Sequence, residues 1–301
     1  MLKIDCFAHV CPPNFYQDML ALDPKLPSKM PFLATPVLSD MTLRQSHASP
    51  DIKQIISFVN LNPEDYLEAE EALELVKKAN QELLDILNHY PNQFRGGVAM
   101  LALNHIKGSL EILTNFVQEN PKILGVQLFT RHLGKSLADP SFKPIFAKCH
   151  QLDLPIWLHP VFDERKPDNN IIFSWEYEQS QAMLELVEAG YFQEFPHLKI
   201  IVHHAGAMVP YFAERINHIL PKHLAQDFKK FYVDTALLGN AKGLELAIEY
   251  FGHDRVLFGT DAPLGILPAG PSQEIIQALD SLQLPEEISQ KIYYHNITSL
   301  I

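Results

Sequence analysis

Four residues of this chain combine metal-binding or acid-base chemistry with one kind of position. His9 falls in KIDCFAHV, His159 in LPIWLHP, His204 in KIIVHHAG and Asp261 in VLFGTDAP, each at the C-terminal end of a short β-rich run. One imidazole at such a place is ordinary, a core residue satisfied by backbone partners. Three imidazoles and a carboxylate at equivalent ends of different strands point instead to a site. Neutral imidazole nitrogen and carboxylate oxygen suit Zn²⁺ and related divalent ions, and a catalytic centre of this type has three protein ligands and an open position. His9, His159 and Asp261 can supply that set. His203 and His204 are adjacent, and successive strand residues face opposite ways, so one of the pair is expected at the site and the other against a helical layer.

The elements that must hold these residues recur along the whole sequence. Eight β-rich runs are read at Leu2–Cys6, Ile52–Val59, Phe94–Leu101, Ile123–Phe129, Leu154–Leu158, Lys199–His203, Phe231–Asp234 and Arg255–Phe258. Helical stretches lie between them, the longest expected over Glu64–His89, with others at Pro140–Gln151, Trp175–Gly190, Pro210–Leu220, Lys242–Phe251 and Ser272–Leu279. Strict alternation of strand and helix implies parallel βαβ units, and eight of them predict an α/β fold, a (β/α)8 TIM barrel with chemistry at the C-terminal strand ends. One domain over residues 1–301 is expected, with the proline-punctuated segment 12–49 inserted over the active-site mouth. No GxGxxG follows the first strand and no GxxxxGK[ST] occurs, which argues against the nucleotide-binding folds.

Composition narrows the partners. Of 301 residues, 24 are Lys or Arg and 36 Asp or Glu, a formal charge of −12 that would repel a phosphate backbone, so no nucleic acid is expected. With three cysteines, Cys6, Cys11 and Cys149, there is no disulfide framework and no CxxC pair, which fits a reducing, cytoplasmic setting. Charges at Lys3 and Asp5 interrupt any leader-like apolar run, and nowhere do 18 apolar residues run together, so neither secretion nor a membrane span is predicted.

The opening IDCFAHVCPP, the block DPSFKPIFAKCHQLDLPIWLHP, the block FPHLKIIVHHAGAMVPYFAERI and FGTDAPLG together resemble the amidohydrolase-related family that includes aminocarboxymuconate semialdehyde decarboxylase and the resorcylate-type decarboxylases. The likeness spans nearly the whole chain. It implies a barrel of the metal-dependent hydrolase type and a divalent metal, Zn²⁺ first and Mn²⁺ as the alternative. It also implies a homodimer and a small carboxylic acid substrate.

The family opens on two ligands separated by one residue, and here those places hold Phe7 and His9. The second matches and the first does not, which implies a weaker centre made of His9, His159 and Asp261. By the two-residue strand period Asp5, Phe7 and His9 share a face and Cys6 points away, with Asp5 too deep to substitute as a ligand. Counting back from Pro210 in the family's His-x-Gly-x-x-x-Pro element gives His204 as the acid-base residue, working with Asp261. Arg215 corresponds to an arginine that serves substrate across a dimer interface, Arg44 stands in a stretch like an early arginine element, and Phe7 would line the substrate space. The resemblance favours non-oxidative decarboxylation of a small aromatic or unsaturated acid. Two alternatives stay open: a metal-assisted hydrolase of a lactone, amide or ester, and a catalytically silent binding barrel, suggested by Phe7 alone.

Overall fold

Lys3–Val10 is buried at every residue after Lys3, as in a strand covered on both faces, and its polar interruptions are Asp5 and His9. In the computed structural model, which describes residues 2–163, 165–166 and 170–301, this first strand opens a curled, parallel, seven-stranded sheet. It is followed in chain order by Ile52–Phe58, Phe94–Ala99, Ile123–Phe129, Ile156–His159, Ile200–Val202 and Tyr232–Val233, each paired with the one before. Helices cover the outer face. Side chains from most strands, among them Ile4, Cys6, Phe7, Ile55, Val98, Trp157, Ile201 and Leu257, form a smaller cluster enclosed by the sheet, separate from the main core.

The run expected at Arg255–Phe258 joins no ladder. It makes isolated bridges, Val233 to Val256 and Ala8 to Ala262. Backbone hydrogen bonds nevertheless tie it to the seventh and the first strands: Leu257 N–H donates to Val233 C=O at 2.8 Å, Cys6 N–H to Phe258 C=O at 2.8 Å and His9 N–H to Ala262 C=O at 2.7 Å. Asp261 adopts φ +65°, outside the strand region, and Gly259 before it allows a close approach in which a Cβ would lie 2.8 Å from the Cβ of Asp234.

Two further departures from the expected pattern bear on the site. The pairing of the first strand slips between Asp5 and Ala8, a β-bulge that breaks the two-residue alternation. Cys6 and Phe7 therefore enter the same enclosed cluster, contrary to the expectation that Cys6 points away. The carboxylate of Asp5 secures the bulge, accepting the N–H of Phe7 at 3.3 Å and of Thr260 at 3.0 Å. The long helix starts at Ala69, not Glu64, because Glu64 is drawn inward to pair with His132 and the N–H of Leu103.

Segment 12–49 folds as helix Pro13–Leu22, helix Leu26–Lys29, two 3-10 turns and helix Met41–Ser46, the last capped by Asp40, which accepts from Leu43 N–H at 2.8 Å. Glu82 of the long helix Ala69–His89 accepts the N–H groups of Asn14 and Phe15 at 2.8 and 2.9 Å, satisfying donors that the first turn of Pro13–Leu22 leaves open. No helix among the described residues is long and apolar enough to cross a membrane.

Candidate metal centre and active site

His9, at the end of the first strand, places Nδ1 3.2 Å from the Ser57 hydroxyl of the second. His159 closes the fifth strand and donates Nδ1–H to the Pro160 carbonyl at 2.7 Å. That bond fixes its tautomer and leaves Nε2 with a lone pair. His203 follows the sixth strand and donates Nδ1–H to Asp234, a fully buried carboxylate that also accepts Ala205 N–H at 2.9 Å. One ring nitrogen from each of these three histidines lies within 4.8 Å of the other two. Asp261 reaches the same place, its Oδ1 3.1 Å from His9 Nε2 and 3.4 Å from His203 Nε2. Neither approach has hydrogen-bond geometry, so both buried Nε2 atoms are left without a hydrogen-bond partner.

The structure therefore gathers His9 and His159 with His203, and brings Asp261 beside His9 and His203 but groups it with His203 and His204 and not with His159. The sequence puts His204 at the site and leaves His203 to face the helical layer, and the structure corrects this for His203. Both rings reach the mouth, their centroids 4.0 Å apart. Strand geometry ends at Val202, and His204, Ala205, Gly206 and Ala207 all take positive φ, so alternation no longer governs where consecutive side chains point. His204 donates Nδ1–H to Glu176 at 2.6 Å and stacks at 6.3 Å from Trp175. With His203 and Asp261 it forms a second group of converging ligand atoms.

Phe7 has no donor atom, and its ring stacks on His203 at 3.9 Å and 18°, walling the cluster from below. Arg44 does not offer its guanidinium to this space: Nε and Nη2 donate to Gln54 Oε1 at 3.1 and 2.8 Å and Nη1 to the His9 carbonyl. Arg215 stands on the helix Ala213–Ile219, which has no buried residue, and does not enter the cluster of its own chain. Sequence reasoning missed Asp234, whose place at the end of FYVD was the same signal that singled out Asp261. It also missed Trp175 and Glu176, which carried none.

Burial lowers the affinity of His9 and His159 for protons, keeping both rings neutral as metal binding requires. Burial pushes His203 the same way, but Asp234 and then Asp261 outweigh it and raise its pKa to about 10. Burial would raise Asp261, yet His203 and His9 hold it far below the carboxylate range. In the absence of an ion the protonated His203 ring balances the two carboxylates beside it. The donor set fits a divalent ion, with buried imidazole nitrogens lacking a hydrogen-bond partner among the described residues and a carboxylate beside them.

With 25% identity, the chain is similar to 2-amino-3-carboxymuconate-6-semialdehyde decarboxylase of Dictyostelium discoideum (91% of this chain, 85% of the relative) and to 6-methylsalicylic acid decarboxylase of Penicillium expansum (97% and 94%). The structure superimposes on dihydroxybenzoic acid decarboxylase of Polaromonas sp., solved with bound manganese and 2-nitroresorcinol, with a TM-score of 0.80, 22% identity and coverage of 99% and 96%. The amidohydrolase family model matches residues 4–300, so nearly every element that carries the histidine cluster is accounted for by a single family, and the chain belongs to it.

Proposed function

We propose that the protein is a metal-dependent, non-oxidative decarboxylase of a small aromatic or unsaturated carboxylic acid. The observation that carries this reading is the convergence of unpaired, buried imidazole nitrogens on Asp261, in a chain whose relatives are decarboxylases. His9, His159 and Asp261 would hold the divalent ion, Zn²⁺ or Mn²⁺, which when bound supplies charge neutralisation for the substrate carboxylate and a neighbouring oxygen. Phe7, His9 and His203 are fully buried and keep water from the lower side of the site. Trp175, with Phe32 6.3 Å from it, offers an aromatic wall for a flat substrate. His204, held by Glu176 through Nδ1, presents Nε2 as the proton carrier. The C–C bond to the carboxylate breaks, its electron pair stays on the ring or alkene carbon, CO₂ leaves, and that carbon takes a proton from His204.

The architecture completes the reading. Segment 255–262 acts as the eighth stave of a closed (β/α)8 barrel, residues 1–301 are one domain, and 12–49 covers the mouth. The free cysteines agree with a cytoplasmic home. A second copy of the chain pairs through the exposed Tyr211, Phe212 and Ile219, bringing Arg215 towards the partner's substrate. The deciding experiment incubates metal-supplemented protein with hydroxybenzoates, unsaturated diacids and lactones. CO₂ release that disappears in His204→Ala is expected. Acid production from lactones without CO₂ would move the assignment to a hydrolase, and thermal stabilisation without turnover to a binding protein.

A further inference from the structure

Position 7 lies where a metal ligand is absent, and the ring that occupies it is not idle. Phe7 lies flat against His203, ring on ring at 3.9 Å, and so fixes the plane of an imidazole that follows a different strand. Asp234 fixes the same imidazole from the other side by taking its Nδ1–H. What remains is Nε2, buried, without a hydrogen-bond partner among the described residues, in a group of ligand atoms with His9 and His159 and 3.4 Å from Asp261 Oδ1. A histidine held so firmly at one nitrogen and left bare at the other has the arrangement that orients metal ligands generally, with a carboxylate behind the ring.

We infer that the ligand missing from the first strand has moved to the sixth: His203, positioned by Asp234 and backed by Phe7, is the fourth protein donor of the centre. Distances agree. Ligand atoms about 2.1 Å from one ion stand roughly 3.0 Å apart at right angles and roughly 3.4 Å apart at the tetrahedral angle, and a five- or six-coordinate shell with four protein donors keeps a position open for substrate. Asp261 Oδ1 lies 3.1 Å from His9 Nε2 and 3.4 Å from His203 Nε2, while neither contact has the alignment of a hydrogen bond. Donor atoms at this separation without hydrogen-bond alignment leave their lone pairs open to a shared ion. Phe7 is then a packing partner for the relocated ligand and not a gap in the site. The inference rests on the metal-dependent reading above and extends it to how this chain retains a complete centre.

The test is reciprocal rescue, read as metal affinity and not as turnover. Mn²⁺ and Co²⁺ are titrated into the parent, His203→Ala, His203→Gln, Asp234→Asn, Phe7→His, the double variant Phe7→His/His203→Ala, and His159→Ala. Calorimetry gives the affinity, the visible Co²⁺ spectrum the donor set, and circular dichroism checks folding. His203→Ala should bind at least tenfold more weakly with an altered Co²⁺ spectrum. Asp234→Asn should lose between ten- and a hundredfold, since an amide behind the ring favours the tautomer with its proton on Nε2. Phe7→His alone should gain little, but the double variant should recover most of the loss, because a histidine at position 7 then enters the space that His203 vacates. Should His203→Ala not fold, His203→Gln and the double variant carry the same comparison.

Unchanged affinity and spectrum on loss of His203, with binding abolished in His159→Ala, would overturn the relocated ligand and leave the metal-dependent reading intact. Unchanged binding in His159→Ala as well would overturn both.

Discussion

A fully buried carboxylate at position 5 gives the protein a pH signature separate from its histidines. Burial pushes Asp5 up to about 6 from the ordinary 3.8, against the opposing hydrogen bonds of Thr260, Gln54 and Phe7. A carboxyl whose folded pKa is raised binds its proton more tightly in the folded state. Its contribution is therefore complete below about pH 4, falls as pH climbs through about 6, and amounts to roughly 3 kcal/mol. Urea unfolding between pH 4 and 7 should show this decline, and Asp5→Asn should flatten it; an unchanged slope in the variant would place the titration elsewhere. Asp5 was legible as a buried strand residue. Its role at the bulge was not, because a slip in pairing between Asp5 and Ala8 depends on the neighbouring strand and leaves no mark in a two-residue pattern. The closeness of His9 to Asp261 was legible from strand-end position alone. That of His203 could be read the same way, since its extended backbone carries the alternation of Ile201 on to the enclosed face; the arrival of His204 beside it could not, because it depends on a left-handed run through His204–Ala207 in which Gly206 alone is suited to positive φ.

Among the elements, the sheet strands with continuous apolar runs could be read closely, as burial on both faces leaves no polar alternation to confuse them. The run at 255–262 shows the opposite case. Its apolar residues are visible, but its irregular path is set by the close approach of Gly259 to three neighbours, with a Cβ there 2.8 Å from Asp234 Cβ, 3.1 Å from Cys6 Sγ and 3.2 Å from Phe7 Cβ. Gly259→Ala should therefore destabilise the protein by about 1–3 kcal/mol through crowding, measured as a lower urea midpoint. A midpoint equal to that of the parent would mean that this segment yields more freely than its contacts suggest. The helices of 12–49 were hard to foresee for another reason. They are short and stabilised by partners far along the chain, as Pro13–Leu22 is by Glu82.

For the molecule as a whole, the exposed apolar side chains Tyr211 and Ile219, at 77% and 65% exposure, mark a face that a solitary chain would leave wet. If two copies pair there, Ile219→Glu should shift sedimentation from dimer to monomer without lowering the melting temperature of the monomer. Unaltered sedimentation would exclude this face as the interface.

The chain has two tryptophans, and the fold sends them to different duties. Trp157 is sealed in the cluster enclosed by the sheet, donating Nε1–H to the Cys6 carbonyl at 2.7 Å, while Trp175 lies 5.8 Å from His159 at the mouth and its buried indole N–H has no partner among the described residues. Their fluorescence divides in the same way. Emission from Trp157 follows the integrity of the core, and emission from Trp175 follows what enters the mouth, so a Trp157→Phe protein would carry a single intrinsic lamp beside the histidines. A quenching cation or nitroaromatic ligand would dim it without any label attached.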